Sequence, residues 1–449
     1  MQTAAKPFML LATTARRLLI TGLLLPIAAC SDSQSVSPEP SASASSYRAD
    51  VALSWLNLQL KLVRTTLAGP VNIFGRPFGY SGIAGYEAIL PGIPNATSLG
   101  RQLNGLNGLP VADKTLAYNW ALSANASLAA INRSLFANAS AANKATIDSL
   151  EAANVVTYQA GANAEAQARS IDFGKRVAAA VFAWSATDGF DNTTAYTPPT
   201  GPGMWVPTAP AFAPAGFPYW GNNRTLVPNS GAGADPGPPL AYSAAPGSPF
   251  YAMAQEVYDV SQNLTAEQRA IALFWNDLPN GRNFTAPGHW ISILTQVLAR
   301  EQPSLDKALT AYAKVGISMS DAGISCFKTK YTYNVLRPIS YVRGELGHPT
   351  WLSLIPAPNF PDYSATHATL SGAAAEALTS LFGPNYAFTD QNYVQFGLGS
   401  RSYTSFEQAG AEAGISRLYG GIHYRPSCEK GGAQGKKVAQ NINAALSLH

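Results

Sequence analysis

Apolar residues recur at helical spacing through most of this 449-residue chain. In residues 47–66, Val51, Trp55, Leu58 and Leu62 follow one another three or four positions apart, which is the period of one helix face. Further helices are predicted within residues 113–168, over 173–186, 304–336 and 430–446, after His367, and before Gly420. The pattern therefore predicts a mostly helical protein in which helices pack on helices.

A long segment between Asp188 and Ser248 interrupts this pattern. It is dense in Pro, Gly, Trp and Tyr, as in the run YTPPTGPGMWVPTAPAFAPAGFPYWG. Long loops without regular structure in a compact domain are often functional, so the segment is either part of a binding site or a surface insertion. Helices resume at Pro249, and Thr265 to Gln268 has the pattern of a capping box before an apolar run.

Composition changes the picture in one respect. The chain is 47% hydrophobic and only 12% charged, about half the usual charged share, which predicts a large buried core. The formal charge is +4, and residues 1–29 contribute Lys6, Arg16 and Arg17 without an acid, so the remainder carries 4 − 3 = +1. This balance argues against a nucleic-acid partner. The predicted class is all-α, with long ordered loops, over residues 47–449.

The N-terminus has the features of an export signal. ARRLLITGLLLPIAAC combines a basic start, a short apolar run and small residues before Cys30, and IAAC resembles a bacterial lipobox. We interpret residues 1–29 as a lipoprotein signal peptide, Cys30 as the lipidated residue and the Ser/Pro-rich residues 30–46 as a tether. The alternative is an ordinary cleaved signal peptide, and Arg16-Arg17 leaves twin-arginine export open. We thus expect an exported bacterial lipoprotein, periplasmic or outer-membrane-anchored, touching the membrane only through its lipid.

Common catalytic motifs are missing from the sequence. With five histidines and no H-E-x-x-H, a multi-histidine zinc site is not expected, and no G-x-S-x-G elbow, P-loop or dinucleotide fingerprint occurs. Positive charges do recur in KYTYNVLRP, where Lys330 and Arg337 lie seven residues apart. In one helix this spacing would place them on the same face, about 10 Å apart along the axis, with the helix ending near Arg337 because of Pro338. Taken alone, such cations also suit a helix C-terminus.

Two further motifs extend this set. In PDYSATHATLSG, His367 follows a turn and begins a predicted helix, whose first N–H groups can hold an anion. In SRLYGGIHYRPS, Arg417 precedes a glycine turn and His423 follows it. The combined order is K-x6-R-P, then a histidine at a helix start, then S-R-x3-G-x-H.

This order resembles the vanadium-dependent haloperoxidases, which share a fold and site with type-2 phosphatidic acid phosphatases and bacterial acid phosphatases. FWNDLPNGRNFTAPGHW, GPGMWVPTAPAFAPAGFPYWG and GRPFGYSGIAGYEAIL are similar to tracts of the bacterial haloperoxidase-like branch. The resemblance covers most of the chain after residue 50 and implies a helical bundle of that type. It places an oxyanion site within residues 326–430.

The resemblance implies a role for each motif residue. Lys330, Arg337 and Arg417 would hold the oxygens of vanadate, the implied cofactor, and His423 would bind vanadium through a ring nitrogen. His367 would act as general acid/base while hydrogen peroxide oxidises a halide or small organic substrate. In the alternative acid phosphatase, His423 would instead attack phosphorus and form a phosphohistidine.

Three positions depart from the family pattern. The family's P-S-G-H reads Ser364-Ala365-Thr366-His367 here, so the oxyanion-binding serine is lost at Ala365. Thr366 replaces a glycine, keeps its N–H for the oxyanion, and either crowds the site or offers a replacement hydroxyl. Ser427 stands where phosphatase relatives carry the aspartate that orients the second histidine. These departures leave a third possibility open, a non-catalytic member of the family.

Two cysteines and one histidine complete the candidates. Cys326 and Cys428 flank motifs that the resemblance brings together, so we predict a disulfide between them; two free thiols are the alternative. His289, in APGHW, suits either a packing role at a helix start or a supporting role in the site.

Overall fold

The computed structural model describes residues 42–66, 75–278 and 283–448. All of these residues fall within one compact unit, Glu39–His449. The described residues form thirteen α-helices and two short strands: α1 Asp50–Thr65, α2 Arg76–Ile89, α3 Trp120–Leu135, α4 Ala141–Tyr158, α5 Ala164–Ser185, α6 Pro249–Gln262, α7 Ala266–Phe274, α8 Ala286–Glu301, α9 Leu305–Tyr333, α10 Pro338–Gly344, α11 Thr366–Phe382, β1 Phe388–Asp390, β2 Arg401–Tyr403, α12 Phe406–Tyr419 and α13 Arg425–Ala445. The predicted all-α class with long ordered loops is confirmed.

The signal peptide and Cys30 lie outside the described residues, so export and lipid attachment stay predictions. Ala44, which the sequence analysis placed in the tether, is fully buried against the core, so the folded chain begins before Tyr47. Within the described ranges, no helix is both long enough and apolar enough to cross a bilayer.

Polar caps define where several helices begin. The Thr265 hydroxyl accepts from the Gln268 N–H while the Gln268 side chain accepts from the Thr265 N–H, so the predicted capping box is confirmed. The Asn163 side chain caps the start of α5, which begins nine residues before the helix predicted over 173–186. That predicted helix is the second half of α5, which runs without a break from Ala164 to Ser185.

The helix α9 is the central element and carries Lys330 in its last turn. It packs closely against α2, where a Cβ on Gly82 would lie 2.7 Å from the Ala313 Cα and one on Gly316 would lie 2.6 Å from the Phe78 carbonyl oxygen. Only glycine permits this approach. Gly316 therefore serves helix packing within one continuous helix of 29 residues.

The prediction that Lys330 and Arg337 share one helix face is wrong. Helix α9 ends at Tyr333, and Asn334 adopts the left-handed conformation, φ 48°, which asparagine tolerates better than most residues. Arg337 is extended, at φ −76° and ψ 151°, and precedes α10. Pro338 disfavours helical geometry at Arg337 for steric reasons, so the two cations meet because the chain turns between them.

The segment from Asp188 to Ser248 contains no α-helix or strand and is fixed at several points. Asp188 pairs with Arg76 at 2.7 Å in the core. The Asp321 carboxylate of α9 accepts the Leu226 and Val227 N–H groups at 2.7 and 3.0 Å. At the C-terminal end of α9 the same segment approaches the site. There the backbone N–H of Trp205 donates to the Asn334 carbonyl oxygen at 2.7 Å.

Candidate active site

Two of the three predicted cations hold the loop that leads into α11. The Lys330 Nζ donates to the Pro361 and Asp362 carbonyl oxygens at 2.8 and 2.9 Å. The Arg337 Nε donates to the Phe360 carbonyl oxygen at 2.7 Å, and the Phe360 ring lies 5.1 Å from Nζ and 5.0 Å from the guanidinium carbon. These contacts place both charges at one end of α11 with no exposed surface.

The third cation and the second histidine come from the turn between α12 and α13. Arg417 lies in the last turn of α12 and donates through Nη1 to the Trp275 carbonyl oxygen at 2.5 Å. The chain turns back at Gly421, whose φ of +75° is a conformation that residues with a side chain rarely adopt. The Arg337 Nη1 donates to the Ile422 carbonyl at 2.8 Å and lies 3.1 Å from the His423 Nε2. The structure thus brings Lys330, Arg337, Arg417 and His423 together.

We call Lys330, Arg337 and Arg417 the cation cluster. Burial lowers the pKa of Lys330 to about 7 and those of Arg337 and Arg417 to about 10. The Arg337 Nη2 and the Arg417 Nε are buried and have no hydrogen-bond partner among the described residues. Buried donors of this kind are costly unless they bind a partner, so the cluster is chemically suited to an anion with several oxygens.

His423 is oriented by a carboxylate that the sequence analysis did not assign. The Asp362 Oδ1 lies 2.9 Å from the His423 Nδ1, which places the carboxylate beside this ring nitrogen. The Ser427 hydroxyl donates to the other oxygen of Asp362. Ser427 therefore supports a carboxylate supplied from elsewhere in the chain instead of providing one. The sequence signal for this pairing was the presence of an acid, Asp362, five residues before His367. Asp362 is distant from His423 in sequence, so the signal did not indicate its partner.

Burial also sets the charge states at this position. Burial raises the pKa of Asp362 to about 6, opposed by Arg337, Ser427 and Lys330. Burial, followed by the charges of Arg337 and Lys330, holds the pKa of His423 well below its usual value. A neutral imidazole has one ring nitrogen with a free lone pair, which is what a metal ligand or a nucleophile requires.

His367 lies in the first turn of α11, whose N-cap residue makes no side-chain capping bond. Its side chain is 16% exposed, and its Nε2 lies 3.5 Å from the Asp277 Oδ2. Burial, followed by the charge of Arg417, lowers the pKa of His367 to about 4, while Asp277 opposes the shift. The ring is therefore neutral near pH 7 and able to accept a proton.

Behind His367 lies a chain of charges, of which the sequence analysis named His289 but neither aspartate. His289 is completely buried between two aspartates, with its Nδ1 2.8 Å from the Asp277 Oδ1 and its Nε2 2.7 Å from the Asp390 Oδ2. We call Asp277, His289 and Asp390 the carboxylate chain. The structure supports the second of the two alternatives for His289, a role beside the site.

Ala365 and Thr366, which stand at the positions of the family's serine and glycine, make contacts within the protein. Ala365 is fully buried and packs with Ala368 and Cys428. The Thr366 hydroxyl lies 3.7 Å from the Cys326 Sγ. The Ser364 hydroxyl donates to the Gln434 Oε1 at 2.5 Å, so it is directed into the protein.

The predicted disulfide is wrong, because Cys326 and Cys428 are both buried free thiols. The Cys326 Sγ lies 3.6 Å from the Ser364 carbonyl oxygen, while Cys428 packs on Ala365 and Ala368. The two thiols contact neighbouring parts of the segment that enters α11. Convergence of the two motifs was predicted correctly, but this segment takes up the contacts of both sulfurs.

Comparisons with known proteins identify a family and related structures. A family model described as the VCPO second helical-bundle domain matches residues 310–448. The structure is similar to that of the first bacterial vanadium-dependent iodoperoxidase, with 32% identity over 90% of this chain and 97% of that one and a TM-score of 0.81. Curated protein sequences give no match.

Two more distant structures share the fold. A holo-type bacterial vanadium-dependent chloroperoxidase aligns with a TM-score of 0.63 at 13% identity, over 85% of this chain and 93% of the other. Its apo-type counterpart aligns with a TM-score of 0.60 at 13% identity, over 84% and 94%. From the identity and coverage of the iodoperoxidase match, this chain belongs to the vanadium-dependent haloperoxidase family.

Proposed function

We propose that the protein is a vanadate-dependent haloperoxidase, which uses hydrogen peroxide to oxidise a halide. The observation that carries the proposal is the cation cluster, which buries three positive side chains and leaves the Arg337 Nη2 and Arg417 Nε without partners among the described residues. An oxyanion such as vanadate provides both the negative charge and the acceptor oxygens that these groups need. Membership of the family and the similarity to a bacterial iodoperoxidase support the same assignment.

The residues of the site fit vanadate in the roles that the sequence resemblance implies. Lys330, Arg337 and Arg417 would hold its oxygens, and His423 would ligate vanadium through Nε2, since its Nδ1 faces Asp362. When bound, vanadate supplies a Lewis-acidic centre at which hydrogen peroxide is activated towards halide. The buried cations hold negative charge in a medium of low dielectric, where such interactions are strong.

His367 supplies the acid–base step. Its Nε2 faces Asp277, so Nδ1 is the ring nitrogen left to exchange a proton with hydrogen peroxide. Because the pKa of His367 is lowered to about 4, the neutral ring can take that proton near pH 7 and release it when product forms. Asp277 is placed to stabilise the imidazolium that exists between these two steps.

The test is halide oxidation with hydrogen peroxide by protein stripped of vanadate and then reconstituted. Iodide, bromide and chloride are assayed with and without orthovanadate, beside p-nitrophenyl phosphate hydrolysis. We expect oxidation that depends on vanadate and is abolished in His423→Ala. Vanadate binding measured by calorimetry without oxidation of any halide would overturn the proposal.

The Asp362 contact favours a second candidate function, phosphate-ester hydrolysis. The sequence departure at Ser427 argued against it, because the ring-orienting aspartate of the phosphatase relatives is absent at that position. In the structure Asp362 lies 2.9 Å from the His423 Nδ1 and takes up that position relative to the ring. Hydrolysis of p-nitrophenyl phosphate that vanadate inhibits, with trapping of a phosphohistidine at His423, would support this candidate.

A further inference from the structure

His289 has a geometry that requires a positive charge. Both of its ring nitrogens face carboxylate oxygens, at 2.8 Å from Asp277 and 2.7 Å from Asp390, and the ring is completely buried. Only the imidazolium form can donate from both nitrogens at once. The Trp275 ring stacks on it with centroids 4.2 Å apart, and the Trp275 carbonyl accepts from Arg417. His289 is therefore a fixed cation behind the site.

The two oxygens of Asp277 have different partners. Its Oδ1 lies beside the His289 Nδ1 and accepts from the Tyr393 hydroxyl. Its Oδ2 has no hydrogen bond in the described part of the chain and lies 3.5 Å from the His367 Nε2. His289 thus holds one side of the carboxylate and leaves the other side directed at His367.

Asp390 fixes the far end of the arrangement. It ends strand β1, and its Oδ1 accepts the Asn392 N–H at 2.9 Å while the Asn392 side chain donates to the His289 carbonyl at 3.2 Å. These bonds tie His289 to the β1–β2 hairpin through its ring and through its backbone. The position of the Asp277 carboxylate is in this way set by a hairpin outside the cation cluster.

We infer that His289 and Asp390 are positioning residues that hold Asp277 against His367 and set the proton affinity of His367 through it. The catalytic part of this inference rests on the proposed function, whereas the positioning part does not. The ionisable groups that interact electrostatically with His367 are Asp277, Arg417, His289 and His423; those that interact with Asp277 are His289, His367, Tyr393 and Arg417. Tyr393 and Tyr403 are the tyrosines on the side of Asp390.

The charges predict opposite effects for two substitutions. His289→Gln keeps a side-chain N–H donor for Asp277 but removes the positive charge, so the His367 titration midpoint rises, by about half a pH unit or more. Asp390→Asn removes a negative charge while Asp277 keeps His289 protonated, so the midpoint falls by a smaller amount, about 0.2–0.5 units. A merely structural role would not move the midpoint in opposite directions.

The experiment is an NMR titration of histidine ring signals in protein free of vanadate and halide. The His367 signal is assigned by its loss in His367→Gln, and His348→Gln, at a histidine that stacks on Tyr258, is the matched control with no expected shift. An unchanged His367 midpoint in both folded variants would overturn the inference. If His289→Gln does not fold, Asp390→Asn alone decides it, because an unchanged or raised midpoint contradicts the expected fall.

The same variants separate this inference from the proposed function. In a haloperoxidase, the acid limb of the pH profile of kcat/KM for iodide oxidation shifts with the NMR midpoint, while KM for hydrogen peroxide at the pH optimum stays within about twofold. Midpoint shifts in a protein without peroxidase activity would refute the function and leave the inference standing. Peroxidase activity with unmoved midpoints would do the reverse.

Discussion

The cation cluster and the carboxylate chain are both buried, both charged and close to each other, yet they are built in different ways. The carboxylate chain alternates Asp277, His289 and Asp390, so each charge has an opposite charge within hydrogen-bond distance. The cation cluster gathers three positive side chains and leaves two guanidinium nitrogens without partners among the described residues. The charges of the first arrangement are paired with one another, whereas those of the second require a ligand, and this difference locates the binding site better than burial does.

The largest difference we expect is in the pH dependence of stability between pH 7 and 10. Asp277 and Asp390 outweigh the effect of burial and raise the pKa of His289 from 6.5 to about 10. Its stabilisation is full below pH 6.5 and is lost as pH rises through 10. Burial lowers the pKa of Lys330 from 10.5 to about 7, so the unfolded chain binds more protons and stability rises from pH 7 to 10.5.

The two contributions have opposite signs, and two substitutions separate them. In Lys330→Met the free energy of unfolding falls more steeply with pH than in the wild type, by as much as about 1.4 kcal/mol per pH unit. In His289→Gln the falling contribution is gone and the slope turns upwards. Urea denaturation in phosphate-free buffer at several pH values measures both slopes. Equal slopes in all three proteins would show that the two groups of residues do not differ as we describe.

The next effect concerns anion affinity and tests whether the cation cluster is the ligand site. Arg417→Met removes a charged donor whose Nε is unsatisfied in the structure. A hydrogen bond to a charged group is worth about 1.5–3 kcal/mol, so vanadate should bind roughly ten- to hundredfold more weakly. Calorimetric titration with orthovanadate measures the loss.

The matched control is Arg176→Met, at an exposed arginine paired with Asp172 on α5. It removes the same charge from the whole protein and leaves the site intact, so its vanadate affinity should equal that of the wild type. Equal losses in both variants would mean that net charge, and not the cluster, determines binding.

Many residues of these two groups were predictable from the sequence, and there is a physical reason why the others were not. The helical class followed from apolar periodicity, and the resemblance carried by the motif order assigned Lys330, Arg337, His367, Arg417 and His423 to one site. Asp277, Asp362 and Asp390 were not assigned to it, because each contacts a histidine far away in the chain and carries no spacing signal. Pairing between a histidine and a distant carboxylate is decided by tertiary packing.

The geometry inside the site was predicted less well for the same reason. The helical spacing of Lys330 and Arg337 assumed one continuous helix, whereas Asn334 ends α9 before Arg337 is reached. The disulfide assumed that two converging motifs bring their cysteines into contact, whereas both sulfurs pack on the segment leading into α11. Convergence can be inferred from motif order, but the orientation of side chains at the meeting point cannot.

A smaller effect tests the support of His423 by Asp362. Ser427→Ala removes the hydroxyl that donates to Asp362 and leaves a buried carboxylate oxygen without that bond. We expect the free energy of unfolding to fall by about 1–3 kcal/mol near pH 7, with the loss shrinking towards pH 5 as Asp362 becomes protonated. Chemical denaturation at the two pH values measures this. A loss independent of pH would show that the serine acts by packing alone.

The smallest effect concerns the thiols of Cys326 and Cys428, which contact residues 364–368 at the start of α11. A disulfide closing the loop of about 100 residues between Cys326 and Cys428 would contribute about 4.7 kcal/mol, which either single substitution would remove. Because both are free thiols in contact with residues 364–368, Cys326→Ser and Cys428→Ser should instead each lower the free energy of unfolding by only about 1–2 kcal/mol. Reductant should not change the stability of the wild type, and mass spectrometry after alkylation under denaturing conditions should find both thiols free. Loss of the full disulfide contribution, or stability that depends on reductant, would mean that the segment entering α11 is held by a covalent bond instead of by packing.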